Sequence, residues 1–156
     1  MNELLPWFIF CFWLFGFWFL WKIPIPGDRR RSSPRRGSLS VIIPARNEER
    51  NIGLLLASLK SQSSEPMEVI VVDDQSDDRT SEIAESLGCR TLRSTDLPPG
   101  WAGKPWACMQ GAREAQGDLL LFLDADTVMA PGGLEKLLMS FPESGGLISV
   151  QPYHHM

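Results

Sequence analysis

"LLLFLDADT" occupies residues 119–127: five apolar residues in succession, then two carboxylates one residue apart. An apolar run this short, set off by Gly117 on one side and acid on the other, reads as a strand covered on both faces, as in a parallel sheet. Charge at the tip of such a strand is costly unless something positive pairs with it. Residues i and i+2 of a strand end point the same way, so Asp124 and Asp126 are expected to converge on one point. Two hard oxygen donors so placed suit Mg²⁺ or Mn²⁺, which in turn suits phosphate oxygens. The competing reading is plainer: one aspartate caps the helix expected at "PGGLEKLL" and the other is solvated.

Working outward, the same design recurs upstream. "LSVIIP" (39–44) reads as a buried strand stopped by Pro44, and "MEVIVV" (67–72) as a second strand ending in Asp73 and Asp74. Between them Ile52, Leu55, Leu56 and Leu59 keep the i, i+3, i+4, i+7 spacing of one helix face, with Asn47 as the expected cap and Glu48 and Glu49 in the first turn. A second helix is expected over "DDRTSEIAESLG", opened by Ser76, Asp77 or Asp78 and closed by Gly88. "CRTLRS" is a weaker strand, residues 105–116 suit a helix, "APGGLEKLLMSF" another, and "GGLISVQP" a last strand. Alternation of apolar strands with amphipathic helices predicts an α/β fold, a mainly parallel sheet with helices on both faces. Ligands of such sheets gather beyond the carboxyl ends of the strands. Three strands end there in polar clusters, "PARNEE", "DDQSDD" and "DADT".

These clusters supply the candidate residues. A carboxylate at the tip of the second strand, Asp73 or Asp74, is placed to accept a hydrogen bond from a base N–H or a ribose hydroxyl. Arg46 and Glu48 are placed to reach a ligand lying across the strand ends. Lys104, in the Gly/Pro-rich loop "WAGKPWA", is either a solvated lysine or a phosphate contact. Trp101 and Trp106 flank it, and the sequence leaves open whether they meet lipid, a sugar ring or the core.

The chain has 156 residues and a formal net charge of −4, unevenly spread. Residues 1–36 hold six Lys/Arg against two acids, net +4, and the remainder holds nine against seventeen, net −8. An acidic body argues against nucleic acid as a partner and is compatible with a site that recruits a divalent cation. Residues 4–21 carry no charge and ten of the fifteen Phe, Trp and Tyr residues. As a helix, eighteen residues span ~27 Å, close to the hydrocarbon thickness of a bilayer. One transmembrane anchor is therefore expected at 4–21, followed by a basic Pro/Arg/Ser linker at 22–37 and the body at 38–156. Lys22, Arg29, Arg30, Arg31, Arg35 and Arg36 follow the span and only Glu3 precedes it, which places the body in the cytoplasm of a single-pass protein of the cell membrane. Cys11, Cys89 and Cys108 are widely spaced, one of them inside the span, and read as reduced structural cysteines.

Taken in order, "VIIPARNEERNIGLLLASL", "VIVVDDQSDDRT" and "GKPWACMQGAREAQGDLLLFLDADT" resemble the successive motifs of inverting family 2 glycosyltransferases of the GT-A (Rossmann-like, nucleotide-diphospho-sugar transferase) fold. The likeness covers residues 39 to 152. With the "LPPGWAGKPWACMQGA" loop and the apolar N-terminus it is most similar to the membrane-bound branch associated with hopanoids and carotenoids. The resemblance implies that Asp74 binds the nucleotide base, with Glu48 and the backbone of Pro44, Ala45 and Arg46 beside it. It implies that Lys104 lies near the nucleotide, that Asp124 and Asp126 hold the divalent metal (Mg or Mn) and the donor diphosphate, and that Asp126 is the direct ligand. The partners so implied are a nucleoside-diphosphate sugar and a lipid or isoprenoid acceptor with a hydroxyl or carboxyl group.

In such enzymes a catalytic-base carboxylate and a Q-x-x-R-W-like motif lie further along than "QPYHHM". The base is accordingly expected beyond Met156, which makes the body a C-terminally incomplete, donor-binding part of the domain. A chain that binds nucleotide-sugar without turnover is one alternative. A haloacid-dehalogenase-like phosphatase, with Asp124 as nucleophile and Asp126 as acid/base, is another, but it leaves "PARNEE" and "VVDD" unexplained.

Overall fold

The computed structural model describes residues 37–141 and 146–151, and the anchor and linker expected before residue 37 lie outside them. Among the described residues eight elements alternate: β1 (Leu39–Ala45), α1 (Ile52–Lys60), β2 (Glu68–Asp73), α2 (Thr80–Ser86), β3 (Arg90–Arg93), α3 (Gly103–Glu114), β4 (Leu119–Phe122) and α4 (Gly133–Ser140). The strands form one parallel sheet in the order β3-β2-β1-β4. Among the described residues no helix is long and apolar enough to cross a membrane.

Every residue of β1 is buried, as its unbroken apolar run demands of a strand with neighbours on both sides. Its odd-numbered side chains, Val41, Ile43 and Ala45, pack with Ile52, Leu55, Leu56 and Leu59 of α1, Ala84 of α2 and Leu134 of α4. Its opposite face, with Ile42 beside Ile70 and Val72 of β2, meets Ala107 of α3. Helices therefore cover both faces. Full burial of the four α1 side chains alone is worth about 6–12 kcal/mol of transfer free energy.

Several boundaries depart from the sequence expectation for local reasons. Pro44 does not stop β1. The Ile42 carbonyl accepts from Leu123 N–H while the Ala45 carbonyl accepts from Asp74 N–H, so Pro44 directs its backbone toward β4. The missing N–H of Pro44 thus falls just past the end of β4, where no ladder bond is lost. Asn47 is not a helix cap. It sits in the left-handed region (φ 57°), and α1 begins only at Ile52, after a turn in which Glu48 O accepts from Asn51 and Ile52 N–H. Gly88 does close α2: at φ 77° it donates to Glu85 O while Cys89 N–H reaches Ala84 O, the 5→2 and 6→1 pair of a Schellman ending. Residues 146–151, expected to open a last strand, form no regular element. Among the described residues β4 is a sheet edge rather than a central strand, and its Leu120 and Phe122 are 43% and 45% exposed.

The amino end of the sheet is laced by one carboxylate. Glu68 Oε1 accepts from Ser40 Oγ and from Gln116 N–H, both at 2.6 Å, and its other oxygen faces Arg90 at 3.7 Å. The Ser40 hydroxyl foremost, with the Gln116 amide and Arg90 adding to it against a burial penalty, holds the Glu68 carboxyl below its ordinary 4.5. Ser40 Oγ also accepts from Gly117 N–H, so β1, β2 and the entry to β4 are fixed together.

Candidate functional site

At the carboxyl ends of the strands the chain leaves a cleft of about 200 Å³. It is lined by Pro44, Ala45, Arg46 and Glu48 after β1, Asp74 after β2, Lys104 at the start of α3, and Asp124, Ala125 and Asp126 after β4. All eight residues singled out from the sequence as donor or metal contacts lie in it. Ala125 is an addition: it is buried, and it separates the two exposed aspartates.

Each wall has its own cause. The β1 loop is held open by Asn47, whose N–H donates to Ser76 Oγ and whose side-chain oxygen accepts from Asp77 N–H, stitching "PARNEE" to "DDQSDD". Two of the four carboxylates of the second acidic cluster, Asp73 and Asp78, are taken up by this scaffolding. Asp73 Oδ1 accepts from Ser76 N–H; Asp78 accepts from Thr80 N–H and hydroxyl and from Glu49 N–H. Burial pushes the Asp78 carboxyl up, but those donors outweigh it and leave it below the ordinary carboxylate value. In a depression of about 460 Å³ nearby, the Asp73, Ser76 and Asp78 side chains are therefore already partnered.

The third wall is a turn, not a strand tip. β4 ends at Phe122, and Thr127 folds back with its N–H and hydroxyl both donating to Asp124 O. Strand alternation thus does not aim Asp124 and Asp126; the turn does, burying Ala125 and exposing the carboxylates on either side. Neither aspartate caps α4. Gly132 (φ 69°) precedes that helix, and Gln62 from the end of α1 accepts from Leu134 N–H in its first turn. The plainer reading of the pair is thereby removed.

Inside the cleft, Lys104 Nζ lies 2.7 Å from Asp124 Oδ1, both side chains being more than half exposed. Asp74 and Asp126 have no side-chain hydrogen-bond or ion-pair partner among the described residues. Four carboxylates (Glu48, Asp74, Asp124, Asp126) face two cations (Arg46, Lys104), an excess of two negative charges that one divalent cation would cancel. No group of three or more His, Cys, Asp or Glu side chains able to hold a metal occurs among the described residues. Asp124 and Asp126 are the two carboxylates a hard cation would meet after β4, its remaining ligands coming from phosphate and water. Behind Lys104, burial chiefly raises the Cys108 thiol, as it does Cys89. Trp101 and Trp106 pack edge to face with centroids 5.2 Å apart, and Trp106 Nε1 donates to Thr95 O, so they brace the loop ahead of Lys104.

Residues 40–155 match the family model for Glycosyl transferase family 2. The chain belongs to that family. The 4,4'-diaponeurosporenoate glycosyltransferase of Staphylococcus haemolyticus is 44% identical over 132 residues, which cover 81% of this chain and 35% of that protein. The protein of the same name from Staphylococcus aureus (strain bovine RF122 / ET3-1) is 44% identical over 121 residues, 75% of this chain and 32% of its own. The chain thus spans about a third of the length of the curated relatives it matches. Among solved structures, S. aureus TarS 1–349 in complex with UDP-GlcNAc superposes with a TM-score of 0.53 at 33% identity, covering 64% of this chain and 30% of that one. Glucosyl-3-phosphoglycerate synthase from Mycobacterium tuberculosis, in complex with Mn²⁺ and UDP-glucose, superposes with a TM-score of 0.52 at 28% identity, covering 60% and 34%. The parallel α/β sheet is that of GT-A glycosyltransferases, and the phosphatase reading of "DADT" falls with it.

Proposed function

We propose that this family 2 glycosyltransferase chain forms the donor-binding part of a membrane-anchored enzyme. It would carry a sugar from a nucleoside-diphosphate sugar to a hydroxyl or carboxyl of a lipid or isoprenoid acceptor, with inversion. The observation that carries the reading is the convergence of Asp74, Lys104, Asp124 and Asp126 on one cleft at the carboxyl ends of the strands. Relatives named for a carotenoid acid support the isoprenoid acceptor, and neighbours bearing UDP-sugars support the donor. The uncharged run at 4–21 and the basic run after it support the anchor, with the body on the cytoplasmic side.

The chain's own groups divide the donor between them. Asp74 accepts from a base N–H or a ribose hydroxyl, with the backbone of Pro44, Ala45 and Arg46 alongside it and Glu48 close by. Lys104 exchanges Asp124 for a phosphate oxygen, a trade between two exposed, charge-assisted contacts. Asp126, with Asp124 beside it, would hold the divalent cation; when bound, Mg²⁺ or Mn²⁺ offsets charge on the departing diphosphate. In the transfer, an acceptor oxygen bonds to the anomeric carbon as the bond from that carbon to the diphosphate oxygen breaks. A hydroxyl acceptor passes its proton to a base that no described residue supplies, whereas a carboxylate acceptor attacks already deprotonated.

Calorimetric titration of the full chain with UDP, with and without Mn²⁺, tests this. Mn²⁺ is expected to tighten UDP binding by about tenfold or more, with Asp126→Ala erasing that gain and leaving thermal unfolding unchanged. Metal-independent binding in the native chain would sink the clamp. Failure to bind UDP, CDP, GDP or ADP at all would sink the donor site.

A further inference from the structure

Gly103 is the first residue of α3, immediately before Lys104. Its backbone does not lie in the left-handed region, so conformation does not demand a glycine. A neighbour stands where its side chain would go: a Cβ on Gly103 would lie 2.6 Å from Asp74 Oδ2 and 3.7 Å from the Asp74 carboxyl carbon, so the free end of the Asp74 side chain would have to shift. The space an alanine methyl would fill is taken by the carboxylate itself. That carboxylate has no other side-chain partner among the described residues, and the positive end of the α3 dipole faces it.

We infer that Gly103 is a positioning residue for donor recognition: its missing side chain lets Asp74 seat against the start of α3, at the depth where it meets the base or ribose. The inference rests on the nucleotide reading of the cleft given above. The same two-residue step carries Lys104, so one backbone segment fixes the spacing between the nucleoside end of the donor and its diphosphate. Gly103→Ala would push the carboxylate about 0.8 Å, from 2.6 Å out to the 3.4 Å of ordinary contact. A hydrogen bond of ~2.8 Å stretched by that much is no longer one.

The test is a double-mutant cycle on the full chain, with UDP and, separately, inorganic pyrophosphate, each with Mn²⁺. Gly103→Ala is expected to weaken UDP about 10- to 100-fold, the loss of a hydrogen bond to a charged group. Pyrophosphate affinity should stay the same, because Lys104 and the aspartates after β4 are untouched. In an Asp74→Ala background Gly103→Ala should cost less than about twofold, since the two act through one contact. Equal losses for UDP and pyrophosphate, or additive losses in the cycle, would overturn the inference. If Gly103→Ala impairs folding, the double variant, which removes the clash, should restore it; a double variant as unstable as the single one would also overturn it. A native chain that binds pyrophosphate but not UDP contradicts the donor reading itself, a result distinct from any of these.

Discussion

Replacing Lys104 with methionine keeps the bulk of the side chain and removes its charge. At ~4 Å two unit charges attract by about 1 kcal/mol in water, and exposed pairs measure ~0–1 kcal/mol once screening and side-chain entropy are counted. Lys104 is 58% and Asp124 51% exposed, so this pair belongs to that class. The variant should therefore unfold within about 4–8 °C of the native chain. Binding should respond in two opposite directions. Loss of a charge-assisted contact to a phosphate oxygen predicts UDP affinity about 10- to 100-fold lower. Release of Asp124 predicts Mn²⁺ affinity, measured without nucleotide, higher by up to about fivefold. Paired titrations, UDP followed by calorimetry and Mn²⁺ by electron paramagnetic resonance, read both. A fall in both affinities, or a collapse in thermal stability, would refute the claim that Lys104 occupies the carboxylate only until a diphosphate arrives.

Other consequences are structural. Gly111 of α3 rests directly on the sheet, where a Cβ would lie 2.5 Å from Ile42 Cγ2 and 3.0 Å from Val72 Cγ2. Gly111→Ala should gain about 1 kcal/mol of helix propensity and lose ~3 kcal/mol to overpacking against stiff β-branched neighbours, a net loss of ~2 kcal/mol visible in denaturant unfolding. Glu68→Gln should destabilise the chain at pH 7. Because the folded carboxyl lies below 4.5, its contribution is present above the unfolded value and is lost as pH falls through the folded one. Unfolding curves of the variant and the native chain should therefore converge as pH falls below the ordinary carboxylate value; a difference that persists or grows in acid would contradict the Ser40 and Gln116 account.

The fold was legible because the strands are continuous apolar runs and the helices keep their spacing, signals that local sequence carries whole. The cleft was legible for a related reason: polar clusters follow β1, β2 and β4, and parallel strands bring such ends together. Choices made by tertiary contact were not legible. Asn47 is as good a helix cap as it is a left-handed turn residue, and only Ser76 and Asp77 across the loop decide for the turn. Strand alternation put Asp124 and Asp126 in one cleft by the wrong route, since a turn closed by Thr127 sets them there. Pro44 could remain within β1 because β4 stops short of it, a matter of register. Gly103 was visible only as a glycine before a lysine; nothing local says that Asp74 fills the place of its methyl group.

The central claim is that the turn after β4 holds a divalent cation against the diphosphate of a nucleotide. Anomalous diffraction at the manganese edge, from crystals of the chain grown with Mn²⁺ and UDP, tests it most directly. The account predicts one peak within coordination distance of Asp126, bridged to the diphosphate, with Lys104 turned from Asp124 to a phosphate oxygen. Bound UDP with no manganese beside Asp124 or Asp126, or manganese bound elsewhere on the chain, would contradict it.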